Sequence, residues 1–201
     1  PEYGIDKSRV NAARETAKGI DVMVRYAFDM GSKGALDLGL NANYVIERNT
    51  KDRYNTPTND CAGLAGKTCL RPLPELSFVQ TTRWTWNALT LQLAWRYLDP
   101  IKQDALSLSA FAYDPVTNPE GMKPADFAVR KIPSRSYFDL TGSYRINDTW
   151  TLRAGVINLF DRDPPVVGNE WGGTTENSGN TFPATYDPLG RVFSLGVNAR
   201  L

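Results

Sequence analysis

In "GIDVMVRYAFD" the even positions hold Ile20, Val22, Val24, Tyr26 and Phe28, and Asp21, Met23, Arg25, Ala27 and Asp29 stand between them. Successive Cβ atoms of a strand point to opposite sides, whereas a helix repeats about every 3.6 residues, so this alternation selects a strand with one apolar face. The pattern returns along the chain. In 35–47, Leu36, Leu38, Leu40, Ala42, Tyr44 and Ile46 oppose Asp37, Gly39, Asn41, Asn43 and Glu47. In 76–86, Leu76, Phe78, Trp84 and Trp86 share a face with Gln80 and Thr82. Residues 88–98 reverse parity, with Leu89, Leu91, Leu93, Trp95 and Tyr97 on one side. Residues 136–146 carry Phe138, Leu140, Tyr144 and Ile146; residues 150–156 carry Trp150, Leu152, Ala154 and Val156; residues 192–201 close with Phe193, Leu195, Val197, Ala199 and Leu201. Seven strands are predicted, an all-β antiparallel up-and-down meander.

The connections alternate between short and long. Residues 30–35, 87–88 and 147–149 read as tight turns, and residues 48–75, 99–135 and 162–190 as polar loops rich in Pro and Gly. Loops beyond about 12–15 residues are uncommon in compact domains and usually functional, so three on one end of a sheet point to a binding face. Parity also constrains the turns. The first hairpin needs an odd loop, met by Ser32-Lys33-Gly34 with Gly34 at positive φ; Trp86 should oppose Leu89 across Asn87-Ala88; Ile146 and Trp150 should flank Asn147-Asp148-Thr149.

Composition excludes several function classes. A net charge of +1, from 23 basic and 22 acidic residues, leaves no footprint for nucleic acid. The absence of histidine removes Ser-His-Asp and Cys-His catalysis and His-based zinc sites. The Asp-rich loops offer no nucleophile with a base at sensible spacing, so no enzyme, catalytic residue, metal site or cofactor is expected. No apolar run approaches the roughly 20 residues of a membrane helix, although a barrel strand needs only about 9–11. Cys61 and Cys69 lie in "NDCAGLAGKTCLRPLPE" and read as a local disulfide formed in an oxidising compartment, with two free thiols as the alternative.

Alternation leaves two architectures open. A soluble, secreted β-sandwich buries the apolar face and would bind carbohydrate through loop aromatics such as Trp171, Phe182 and Tyr186. A transmembrane β-barrel turns that face to lipid around a polar lumen. Aromatic placement favours the barrel. Phe28, Trp84, Trp86 and Trp150 lie beside the short turns, and Tyr44, Trp95 and Tyr97 lie toward the long loops, as two interfacial girdles would. The opposite face carries charges of both signs: Asp21, Arg25, Asp37, Glu47, Arg83, Arg96, Asp139, Arg145, Arg153 and Arg200.

The last part, "YFDLTGSYRINDTWTLRAGVINLFDRDPP" followed by a loop and a final strand, resembles the C-terminal end of the barrel of TonB-dependent outer-membrane receptors. Its most specific piece is Asn158, Leu159, Phe160, Asp161, Pro164 and Pro165; "TAKGIDVMVRYAF" resembles the family's Gly-Ile/Val-Asp/Glu strand start, and the Cys61 to Cys69 loop resembles a short-range Cys pair of some members. The resemblance implies a ligand-gated importer in the outer membrane of a Gram-negative bacterium, a 22-stranded barrel closed by an N-terminal plug and energised through TonB, taking up a metal chelate such as a siderophore complex, cobalamin or a glycan. Seven strands are too few to close such a barrel. Residues 1–201 are therefore expected to be its C-terminal segment, with the plug, the earlier strands and the TonB-contacting region absent. Members usually end in an aromatic residue, where Leu201 stands here.

The partners expected on this reading are outer-membrane lipid, the plug and remaining strands, TonB through the N-terminal region, and an imported small molecule. Arg53, Tyr54, Tyr113, Trp171 and Tyr186 are the amphipathic loop residues suited to contact that ligand. The end of the strand at 150–156 has a physical reading as well. Asn158 and Asp161-Arg162-Asp163 enter the headgroup or aqueous zone, and Pro164 and Pro165 stop ladder donation.

Overall fold

A computed structural model describes residues 14–51, 58–66, 68–104, 129–168, 171 and 180–200. Its strands in chain order are β1 (Arg14–Asp29), β2 (Ala35–Lys51), β3 (Asn59–Asp60), β4 (Leu64–Ala65), β5 (Leu76–Trp86), β6 (Leu89–Leu98), β7 (Ile101–Gln103), β8 (Lys131–Ile132), β9 (Arg135–Arg145), β10 (Trp150–Ile157) and β11 (Val192–Ala199). The long strands pair strictly in sequence as β1-β2-β5-β6-β9-β10-β11, and β3 extends the edge of β2. Every pairing in this sheet is antiparallel. The predicted meander of seven strands is the observed one, including residues 76–86, where Gln80 and Thr82 interrupt the apolar face. Cross-strand partners supply what that strand lacks in pattern: Leu40 and Trp95 flank Gln80, and Leu38 and Leu93 flank Thr82.

Turn geometry follows from parity. Trp86 faces Leu89 across Asn87 and Ala88, with Asn87 at φ 52°. The Ile146 amide donates to the Trp150 carbonyl at 2.9 Å across residues 147–149, and the Asn147 side chain accepts the Thr149 and Trp150 amides. The first hairpin is longer than expected. Asp29 pairs with Ala35, so five residues, Met30 to Gly34, form the loop and Gly31–Lys33 coil into one 3-10 turn. The loop stays odd, so the faces are preserved. Gly34 sits at φ 89°, and a Cβ there would run into the Thr85 carbonyl.

One register shift changes a face assignment. Pairing slips between Lys18 and Gly19, so that Gly19 opposes Val45 while Lys18 opposes Glu47, and Ile46 has no partner opposite it. Such a bulge inverts the parity of β2 beyond that point. Glu47 consequently leaves the polar face to which simple alternation assigns it and pairs with Lys18 at 2.7 Å. Arg48 turns the other way, to Glu15.

The apolar face of the large sheet is uncovered. Ile20, Val24, Tyr26, Tyr144, Phe193 and Leu195 are all more than half exposed or at half exposure, Leu195 at 78%. Among the described residues no second sheet packs on this face, where a sandwich would place one. The buried core lies elsewhere, at the long-loop end. Ala65, Ile101, Ile132, Val167, Trp171, Phe182 and Tyr186 form one cluster, with Leu98 and Val129 against it. Part of it is organised by a small sheet, β4-β7-β8, in which β4 and β7 run parallel and β7 and β8 antiparallel. No helix among the described residues is long and apolar enough to cross a membrane, which bears on helices alone.

Candidate functional site

The site begins where β6 and β9 leave the regular ladder. Arg96 and Asp139 sit diagonally on the polar face, and the guanidinium grips the carboxylate through two donors, Nε to Oδ2 at 2.8 Å and Nη2 to Oδ1 at 3.1 Å. The same Nη2 lies 3.5 Å from Oδ2 of Asp187, which arrives from the loop between β10 and β11. The guanidinium also stands 5.0 Å from the centroid of the Tyr137 ring, its cross-strand partner. One planar cation thus ties barrel-face carboxylate, ring and loop together, the geometry for which arginine is suited.

Asp139 carries the network into the Asn158 motif. Its Oδ1 accepts the Asn158 amide at 2.9 Å. Asn158 is fully buried at φ 53°; its Oδ1 accepts the Arg162 amide at 2.8 Å and its Nδ2 donates to the Arg162 carbonyl at 3.0 Å. This corrects the reading that Asn158 enters the aqueous zone. Asparagine is needed because its side chain tolerates the left-handed region and supplies both a donor and an acceptor to a turning backbone. Asp161, Arg162 and Asp163 are exposed as expected. Asp161, also left-handed at φ 53°, accepts the Arg191 amide at 2.8 Å, so the motif fastens the start of the loop to the residue before β11. The Leu159 amide adds a last ladder bond to Phe138 at 2.7 Å, Phe160 meets the Phe138 ring edge-on at 5.4 Å, and Pro165 is buried while Pro164 is partly so.

The predicted ligand-contacting residues fall into two groups. Arg53, Tyr54 and Tyr113 lie outside the described residues. Trp171 and Tyr186 lie in the loop core, 0% and 2% exposed, where the Trp171 indole donates to the Val129 carbonyl at 2.7 Å. Both are packing residues here and present almost no surface to a solute. Burial pushes the Tyr186 phenol well above its ordinary value. Cys61 and Cys69 are joined in a disulfide with Cα atoms 5.3 Å apart, and both are buried. The carboxylate of Asp104 accepts the Thr68 and Cys69 amides at 2.8 and 3.0 Å, binding the disulfide loop to the segment after β7.

Beneath the folded loops the polar face opens into a cavity of about 660 Å³. Asp21, Asn41, Asn43 and Ser77 line it together with Arg96 and Thr185, and the Asn43 amide donates to Asp21 at 2.7 Å. Sequence reasoning placed Asp21 and Arg96 on this face but missed the Asp187 and Thr185 contribution. "TYDPLG" has the signal of a turn, and nothing in it indicates that the turn folds back against the sheet. The described residues contain no group of three or more His, Cys, Asp or Glu able to hold a metal.

On the opposite face, rings form two bands. Phe78 stacks on Tyr97 at 5.0 Å and meets Trp95 edge-on at 4.8 Å, Trp95 stacks on Phe138 at 5.7 Å, and Phe160 continues the row. At the short-turn end Trp84 and Trp86 stack at 6.0 Å, with their indoles donating to the Lys33 and Ser32 carbonyls. Along β5 about 27 Å of extended chain separates Phe78 from Trp86, at about 3.4 Å per residue. A tilt of about 40° reduces this to about 21 Å, close to the roughly 25 Å apolar band of a membrane barrel.

An antiparallel meander with an uncovered apolar face between aromatic bands is the wall of a β-barrel. The family model described as TonB dependent receptor-like, beta-barrel, matches residues 3–159, and the chain belongs to that family. Among solved structures, the ferric enterobactin receptor PfeA of Pseudomonas aeruginosa, as a point mutant in complex with enterobactin, is similar at 20% identity and a TM-score of 0.54. The match covers 91% of this chain and 22% of that one. A double mutant of the same receptor is similar at 19% identity and a TM-score of 0.53 over the same shares. The copper transporter OprC matches at 18% identity and a TM-score of 0.44, over 93% of this chain and 23% of that one. The chain thus spans less than a quarter of the length of these structures. A search of curated proteins found no significant sequence match.

Proposed function

We propose that this chain is a C-terminal portion of the barrel of an outer-membrane, TonB-dependent active importer in a Gram-negative bacterium. Its long strands form wall, with the apolar face against lipid and the polar face toward the bore. The long-loop end faces outside and contributes to capture of a scarce solute, a metal chelate, cobalamin or a glycan. A plug domain, the remaining barrel strands and TonB complete the machine. The observation that carries this reading is the uncovered apolar face: side chains such as Leu195, at 78% exposure, are tolerated in bulk only against hydrocarbon or a partner.

The test uses the receptor that contains this chain, expressed from its complete gene. It is expected to sediment with outer membranes, to migrate differently on gels before and after boiling, and to require TonB for energised uptake of its solute. Recovery as a soluble periplasmic monomer with boiling-independent mobility would remove the proposal.

A further inference from the structure

In the cavity beneath the folded loops, the capacity of the polar side chains to form hydrogen bonds is unequally spent. Asp21, Asn43 and Ser77 are successive cross-strand partners on β1, β2 and β5, and Met23, Asn41, Val79 and Arg96 form the neighbouring row on the same face. Arg96, the one cation in the lining among the described residues, is fully engaged. Asp139 holds it through two hydrogen bonds and Asp187 stands 3.5 Å away, so two carboxylates surround one guanidinium. The remaining groups are open. The side chains of Asn41, Ser77 and Thr185 make no hydrogen bond with any described residue. The Asp21 carboxylate accepts from Asn43 at 2.7 Å and forms no ion pair with a described residue.

From this arrangement we infer that the cavity takes a neutral, hydroxyl-rich solute, a short glycan, and rejects anionic metal chelates. The inference rests on the importer reading above and narrows its solute from three classes to one. Charge rejects the anion. A negatively charged chelate entering here would meet Asp21 and a guanidinium already held by two carboxylates, and would lose its hydration with no cation to replace it. Unspent polar capacity rejects an apolar solute, which would strip water from Asp21, Asn41, Asn43 and Ser77 and return no hydrogen bond. A hydroxyl both donates and accepts, as does a carboxamide, whereas a carboxylate only accepts. Adjacent hydroxyls of a sugar therefore satisfy Asp21 and Asn43 together; an ammonium, which only donates, serves Asp21 and leaves the amide N–H groups unmet. The dimensions agree. From Asp21 to Ser77 are two interstrand spacings of about 4.8 Å, and the two rows lie about 7 Å apart along the strands, the footprint of one or two sugar rings. Met23 and Val79 flank Asn41 in its row and offer apolar atoms to the C–H face of such a ring. The volume of about 660 Å³ lies within the roughly 300–1,000 Å³ typical of small-molecule sites.

The experiment uses the full-length receptor in a sugar-free amine-oxide detergent, titrated in a calorimeter. The probes are neutral trisaccharides of glucose, xylose, mannose, galactose and N-acetylglucosamine, the cationic glucosamine trimer, and the anionic chelates ferric citrate and ferric enterobactin. At least one neutral trisaccharide is expected to bind, and neither chelate. Asn43→Ala and Asp21→Ala should each weaken the sugar at least tenfold, while Thr90→Ala, at the short-turn end of the same face, leaves it unchanged. Tighter binding of either chelate than of any trisaccharide overturns the inference, as does the absence of binding by every neutral trisaccharide at 5 mM. Sugar binding indifferent to both cavity substitutions also overturns it. A glucosamine trimer bound more tightly than its neutral N-acetylated form assigns the cavity to a cation, with the same consequence. Any of these results in protein that keeps its heat-modifiable mobility leaves the importer reading standing; a receptor without that mobility fails both.

Discussion

Replacing Asn158 with Ala tests the central feature of the loop anchor. The amide of Asn158 makes two hydrogen bonds with the backbone of Arg162, at 2.8 and 3.0 Å, from a fully buried position at φ 53°. Each lost bond costs about 0.5–1.5 kcal/mol net, and holding a non-Gly, non-Asn residue in the left-handed region costs a further 1–2 kcal/mol or so. The expected local destabilisation is therefore about 2–4 kcal/mol, allowing for water reaching the exposed Arg162 backbone. Asn158→Gly loses the bonds and escapes the backbone penalty, so it is expected to cost about 1 kcal/mol less than Ala. The assay is native-state amide exchange on the full-length receptor in detergent. With about 1.4 kcal/mol per tenfold, the Arg162 amide should exchange roughly 30- to 700-fold faster in the Ala variant. The Arg191 amide, held by Asp161, should follow because the same turn positions Asp161. Exchange at Arg162 within threefold of the unaltered protein would refute the reasoning.

Three further outcomes are expected. Leu93→Lys, outward on β6 midway between the aromatic bands, should cost about 2–4 kcal/mol of insertion stability, read as the folded fraction in lipid vesicles against urea; Gln92→Glu, a charge on the bore side that keeps Arg83 as its partner, should cost little. Removing the Cys61–Cys69 disulfide with paired Ser substitutions opens a loop of sequence separation 8 and should lower stability of the loop cap by about 2.5 kcal/mol, seen as faster protease cleavage within residues 58–75. The phenol of Tyr186 is held protonated by burial, its folded pKa above the unfolded value of about 10. Its contribution is therefore present below about pH 10 and lost as pH rises toward the folded value, because the unfolded chain then releases the proton first. Urea midpoints followed by Trp171 fluorescence should fall between pH 8 and pH 11, and fall less in Tyr186→Phe.

Much of the large sheet was legible because strand pairing is governed by a local rule. Parity in "ALTLQLAWRYL" against "LSFVQTTRWTW" was enough to place Trp86 opposite Leu89, and the observed register agrees. The exposed apolar face and the aromatic bands follow from the same alternation, since a one-residue slip would exchange the faces. Alternation contains no information about where it fails. The slip at Lys18 and Gly19, which moves Glu47 off the polar face, depends on how two strands accommodate each other's twist and has no signal in either strand alone.

What the sequence by itself determined is the wall: the number of long strands, their order, the parity of their turns and which side is apolar, all properties of residues near one another in the chain. What only the tertiary structure decided is everything made by distant segments meeting. Trp171, Phe182 and Tyr186 read as exposed loop aromatics, yet with Ala65, Ile101 and Ile132 they close a core, because apolar loop residues near one another lower their exposed area by packing together. Asn158 read as a residue entering water and is instead buried, because Asp139 and Arg162 satisfy its amides. Arg96 and Asp187 are 91 positions apart in sequence, and only the return of the loop onto the sheet puts cation and carboxylate within reach. Local periodicity records which face a side chain takes; it does not record which distant group will be there to meet it.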